Sequence, residues 1–150
     1  MNKILLAVLA LLLLCSPAIA SLDDFLGNLN IQARADMNGF SAKISAQFGV
    51  PEVQVRTVIG TVKEPSDAFM VFQLGQMAQR PPETVVQVYS ANRGKGWGVI
   101  AKSLGIKPGS PEFHALKRGD FALTGGPGGG PGEGHGRGKG KGKGRGHNKD

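Results

Sequence analysis

Apolar residues recur at helical spacing through most of the chain between residues 21 and 124. Trp97, Ile100, Ala101 and Leu104 fall at i, i+3, i+4 and i+7, one face of a helix, with Lys102 and Ser103 turned away. Gly105 follows at the position of a left-handed cap. Ser110-Pro111-Glu112-Phe113 then supplies a capping serine, a first-turn proline and an acid near the positive end of the dipole, which predicts a helix from Pro111 to Arg118 closed by Gly119. Pro51, Pro65 and Pro82 each open a stretch of the same period. Val55, Val58 and Ile59 form one stripe, and Val85, Val88 and Tyr89 another. Phe40, Ile44 and Phe48 predict a helix over Asp36 to Phe48. From Ala68 to Ala78 apolar side chains cover most of the circumference, as in a helix buried at the centre of a bundle. Val53-Gln54-Val55-Arg56 alternates as a strand would, but the alternation ends there and no hairpin turn follows. Ser21 to Arg34 is ambiguous and is expected to form a loose arm. The expectation is an all-α fold, a small bundle of five or six short helices.

The two ends break this pattern. Residues 1–20 combine Lys3, an apolar run from Ile4 to Leu14 and the small-x-small triplet Ala18-Ile19-Ala20, the composition of a cleavable signal peptide. The run is shorter than the 20 or so residues that span a bilayer. Export to the periplasm or outside the cell follows, with a mature chain starting at Ser21 and carrying no transmembrane segment. The sole cysteine, Cys15, leaves with the leader, and Leu14 before it is unlike the small residue of a lipidation site. The mature chain then has no disulfide and no thiolate chemistry.

At the other end, residues 125–150 hold thirteen of the 24 glycines and should be disordered, because they have almost nothing to bury against the entropy of ordering. Three segments result: a signal peptide over 1–20, a helical domain over 21–124 and a basic glycine-rich tail over 125–150. Eleven basic residues face nine acidic ones in the helical segment, and six face two in the tail. The tail cations Arg137, Lys139, Lys141, Lys143, Arg145 and Lys149 mostly alternate with glycine, which puts neighbours about 7 Å apart in an extended chain. That lies inside the Debye length of about 8 Å, so they act as one field. The partners implied are anionic polymers or anionic lipid surfaces.

Arg93-Gly94-Lys95-Gly96-Trp97-Gly98 is the most distinctive motif. It departs from the dinucleotide fingerprint, whose third glycine falls one residue later and which follows a strand. Its reading is structural: Gly94 caps one helix, Gly96 makes the turn, Gly98 admits a neighbouring backbone, and Trp97, Ile100 and Leu104 anchor the core ahead of Gly105. The run from Gly94 to Lys117, with Phe48-Gly49-Val50-Pro51 upstream, resembles the signature of a family of small exported bacterial helical proteins of unassigned function. That resemblance implies no catalytic or ligand-binding residue. Ile100 to Ile106 also resembles the first helix and turn of a DNA-reading helix-turn-helix, which would present Lys117 and Arg118, although Pro111 stands where an apolar residue belongs.

Catalytic signals are weak. Glu112 and His114 form an E-x-H pair without the further ligands that zinc needs, so no metal or other cofactor is expected. Asp23, Asp24, Asp36, Glu52, Glu64 and Asp67 read as solvated faces or helix-end charges, and no nucleophile motif accompanies them. The favoured function is a non-enzymatic envelope or secreted protein, with a helical body for a protein partner in the envelope and a tail for polyanions. A basic face of Lys95, Lys102, Lys117 and Arg118 would add to the tail. The alternatives are a small envelope hydrolase with a site assembled only on folding, or a helix-turn-helix-like nucleic-acid binder.

Overall fold

A computed structural model describes residues 21–125, and these form seven helices and no strand. In chain order they are α1 (Leu22–Ala35), α2 (Met37–Phe48), α3 (Glu52–Thr61), α4 (Pro65–Ala78), α5 (Pro82–Ala91), α6 (Trp97–Ser103) and α7 (Pro111–Arg118). The fold is all-α, with one helix more than the spacing suggested. The expected signal peptide, Cys15 and the glycine-rich segment beyond Gly125 lie outside the described residues. None of the seven helices is long and apolar enough to cross a membrane.

The segment expected to be a loose arm is α1. Leu26, Leu29 and Ala33 are buried on one face, and Leu22 and Phe25 pack against the same core. A capping box starts the helix: Ser21 Oγ accepts the Asp24 amide, while the Asp24 carboxylate accepts the Ser21 amide and hydroxyl. These bonds favour the ionised acid and hold the Asp24 carboxyl below its ordinary value. Gly27, Asn28 and Asn30 lower helix propensity enough to obscure the stripe, and tertiary contacts override them. Asn30 has a further use, since its Oδ1 accepts the Ser66 amide at 2.9 Å, one of the orphan donors at the start of α4.

α4 is the axis of the bundle. Every residue from Ala68 to Gly75 is buried, and α1, α2, α3 and α5 all pack on it. Phe69 lies edge-on to Phe25 and Phe48, with ring centroids 5.3 and 5.6 Å apart, so three helices meet at one aromatic cluster. The residues that alternate in the manner of a strand belong to α3, where Val55 and Val58 face inward at helical spacing. Asp36 ends α1 and caps α2, accepting the Gly39 amide at 2.9 Å.

The chain closes through a strap after α7. Gly119 takes φ +67°, and a Cβ there would lie 2.8 Å from Leu22 Cα, so only glycine lets the end of α7 abut the start of α1. Phe121 then sits 6.0 Å from Phe25 and 6.3 Å from Phe69. Buried Gln47 clamps the strap, donating to Ala122 O and accepting the Thr124 amide, each at 2.9 Å. The last residues of the body are thereby fixed on α2.

Candidate functional site

The motif around Trp97 marks the place where the ends of four elements converge. α5 stops at Ala91, and the Lys95 amide donates to Asn92 O at 3.0 Å across a tight turn. Gly94, at φ +83°, is the turn residue; the helix before it is capped by Asn92. Gly96 stands at φ 87° and ψ 157°, a conformation essentially reserved for glycine, and opens α6. The two roles expected of Gly94 and Gly96 are thus displaced along the chain. Gly98 makes no close backbone approach either: a Cβ there would meet only the Phe113 ring at 3.8 Å, an ordinary contact.

Trp97 is half-buried and lies at the rim of the core, whereas Ile100 and Leu104 are buried as expected. Its indole stacks on Tyr89, centroid to centroid 5.5 Å at 27°. The Arg93 guanidinium carbon lies 5.6 Å from the Tyr89 centroid, a cation–π contact, and Nη2 reaches Thr61 O at 3.4 Å. The Tyr89 hydroxyl donates to Asp67 Oδ2 at 2.8 Å and accepts the Lys63 amide at 3.1 Å. Asp67 Oδ2 also accepts the Glu64 amide at 3.1 Å, which makes this carboxylate the N-terminal brace of α4. Burial pushes the Tyr89 phenol above its ordinary range, and the Asp67 charge beside it adds to the effect against the opposing Lys63 amide and Arg93 charge. The phenol therefore stays a neutral donor at physiological pH.

Lys63, Asp67, Tyr89, Arg93, Trp97 and Ile100, with the backbone of Gly94 and Gly96, line a cleft of about 240 Å³. Larger depressions of about 270 and 290 Å³ lie beside Phe72 and Arg80 and beside Met77 and Ile106, but neither joins an aromatic wall to opposed charges. The sequence pointed to Arg93, Trp97 and the glycines between them; Tyr89, Asp67 and Lys63 join them only through the fold.

The other basic positions lie on the turn before α6, on α6 and on α7. Lys95 is exposed on the turn and its Nζ lies 3.5 Å from Asn92 Oδ1. Lys102 is exposed on α6 and Lys117 on α7, two helices that pack together. Arg118 is exposed but ion-paired with Asp120 at 2.6 Å, so it is the least available of the four. Residues 92–120 carry six basic and two acidic side chains, against five and seven over 21–91. The tail cations Arg137, Lys139, Lys141, Lys143, Arg145 and Lys149 lie outside the described residues.

His114 and Glu112 are both exposed on α7, and no group of three metal-ligating side chains occurs among the described residues. Most of the remaining acids have structural work. Asp24 and Asp36 cap helices, Glu52 pairs with Arg56 within α3, and Glu64 pairs with Arg34, both pairs at 3.5 Å. Between α6 and α7 the chain runs from Leu104 to Ser110 with Ile106 buried, longer than the three or four residues or so of a helix-turn-helix corner. No family model, curated protein or solved structure matches the chain, so the site is read from its own chemistry.

Proposed function

We propose that the protein is an exported, non-enzymatic binding protein that attaches to anionic polymers. The helical body offers the recognition surface and the Gly-Lys/Arg segment that follows it adds a sequence-blind cationic field. The observation that carries this reading is the segregation of charge. Six of the body's eleven cations fall in residues 92–120, adjoining in sequence the tail's six, while the acidic excess stays in the first five helices. Lys95, Lys102 and Lys117 are exposed there and take part in none of the ion pairs among the described residues. Anionic lipid surfaces and an envelope protein partner fit the same field. The leader composition and the family resemblance of residues 94–117 support a site of action outside the cytoplasm.

A hydrolase reading draws less support. The cleft holds a single carboxylate, Asp67, and one of its oxygens already accepts two hydrogen bonds. Hydrolysis by general acid–base or nucleophilic catalysis ordinarily sets a second acid, base or nucleophile beside the first, and no second carboxylate, histidine, serine or cysteine lines the cleft among the described residues.

Cosedimentation with an insoluble acidic polysaccharide and with anionic vesicles tests the proposal. The full chain is compared with a variant in which the six tail cations are replaced by Gln and with Lys95→Gln/Lys102→Gln/Lys117→Gln. Both variants should bind more weakly than the parent, and binding of each should fall as salt rises. Undiminished binding by both variants would overturn the proposal.

A further inference from the structure

The cleft beside Trp97 has a chemistry more selective than a field of cations. We propose that it binds one ring of an acidic saccharide, a sugar that carries a carboxylate. The inference rests on the anionic-polymer reading for its ligand class, and adds to it a specific subsite and a polymer type.

Three features of the cleft select this ligand. Size comes first: at about 240 Å³ it is smaller than the roughly 300–1,000 Å³ of sites for drug-sized ligands, and suits a single ring. The second is its wall. Trp97 is held in place by stacking on Tyr89, and the negative face of an indole attracts the weakly positive C–H bonds on one face of a pyranose. The third is the arrangement of charges. Lys63 and Arg93 can hold a carboxylate by charge-assisted bonds, while Asp67, with Oδ2 occupied and Oδ1 not hydrogen-bonded among the described residues, can accept from ring hydroxyls. A nucleotide, with its base, sugar and phosphate, exceeds a cleft of single-ring size. At Gly94 and Gly96 a Cβ would meet nothing within 4 Å, so the turn leaves its backbone open at the mouth of the cleft.

The chain contains one tryptophan and one tyrosine, so its intrinsic fluorescence reports on this cleft alone. The full chain is titrated with a short oligouronate, with the neutral oligosaccharide of the same linkage and with a nucleoside monophosphate. Arg93→Gln, Lys63→Gln and the tail variant with its six cations replaced by Gln are titrated alongside, and thermal melts establish that each is folded. The oligouronate should give a saturable change in Trp97 emission that the neutral oligosaccharide and the nucleotide do not match. Arg93→Gln or Lys63→Gln should weaken it by about tenfold, the scale of one lost charge-assisted bond. The tail variant should match the parent. Absence of a saturable change, equal response to the neutral sugar, or tighter nucleotide binding would overturn the subsite. So would a response lost in the tail variant but kept in Arg93→Gln, and that result would leave general polyanion binding standing. Retained oligouronate binding by a protein that fails to cosediment would instead overturn the polymer reading and keep the cleft.

Discussion

Two side chains show opposite treatments of a buried polar group. Tyr89 sits among Trp97, Arg93 and Asp67 with its hydroxyl both donating and accepting, whereas Gln73, on the central helix and 1% exposed, has neither amide atom hydrogen-bonded among the described residues. An unsatisfied buried amide costs about 1–3 kcal/mol. Gln73→Met, close in shape and free of that demand, should therefore raise stability by about 1 kcal/mol, or roughly 4–8 °C in melting temperature for a domain of this size. A thermal melt that is unchanged or lower contradicts the burial of an unpartnered amide. Tyr89 gives a pH test. Its pKa is raised above the free phenol's 10.0, so the folded state prefers the neutral form. That stabilisation is whole below the unfolded value and is lost as pH rises through the folded one. Ultraviolet titration of this sole tyrosine should give a midpoint above 10.0 in the folded protein, returning to the free value in denaturant. Trp97 marks the limit of the sequence reading at this scale. Apolar spacing placed it on the inner stripe with Ile100 and Leu104, but position 97 is the first residue of a short helix, at the edge where the bundle meets solvent. Periodicity shows which face a residue occupies and is silent about depth along the axis.

Among the helices, punctuation was more legible than connection. Ser110 and Gly119 bound α7 as expected, Pro65 and Pro82 each open a helix, and Pro51 caps α3. These devices act within one turn of the chain, so their signal is local. α1 was obscured by Gly27, Asn28 and Asn30, and its stability comes from burial against α4, which no local signal carries. The cleft was illegible for the same reason: Lys63 and Trp97 are far apart in sequence and meet only because α3, α4, α5 and α6 end at one place. Gly119 and Gly49 separate the local contribution from the tertiary one. They cap α7 and α2 at φ +67° and +65°, but a Cβ at Gly49 meets nothing within 4 Å, while one at Gly119 meets the start of α1. Gly49→Ala should cost about 1 kcal/mol for the left-handed backbone alone. Gly119→Ala should cost about 2–4 kcal/mol, because overpacking adds to the same conformational term. Equal losses in chemical denaturation would show that α7 does not abut α1.

At the scale of the whole molecule, a bundle closed by the Gln47 clamp presents its acidic helices on one stretch of chain and its basic pair next to the cationic tail. The body contributes shape and an aromatic cleft; the tail contributes six cations in 26 residues. The tail has no aromatic side chain on which bases could stack, so its attachment should be indifferent to the sequence or composition of the polymer. The most direct test of this division is the salt dependence of binding to a labelled polyanion, for which a single-stranded oligonucleotide of random sequence is a calibrated probe. If six tail cations displace counterions, they should contribute roughly −4 to the slope of the logarithm of the association constant against that of salt, and replacing those six by Gln should leave only the shallower slope of the body's cations. A slope unchanged by that replacement, or an affinity indifferent to salt, would contradict the account.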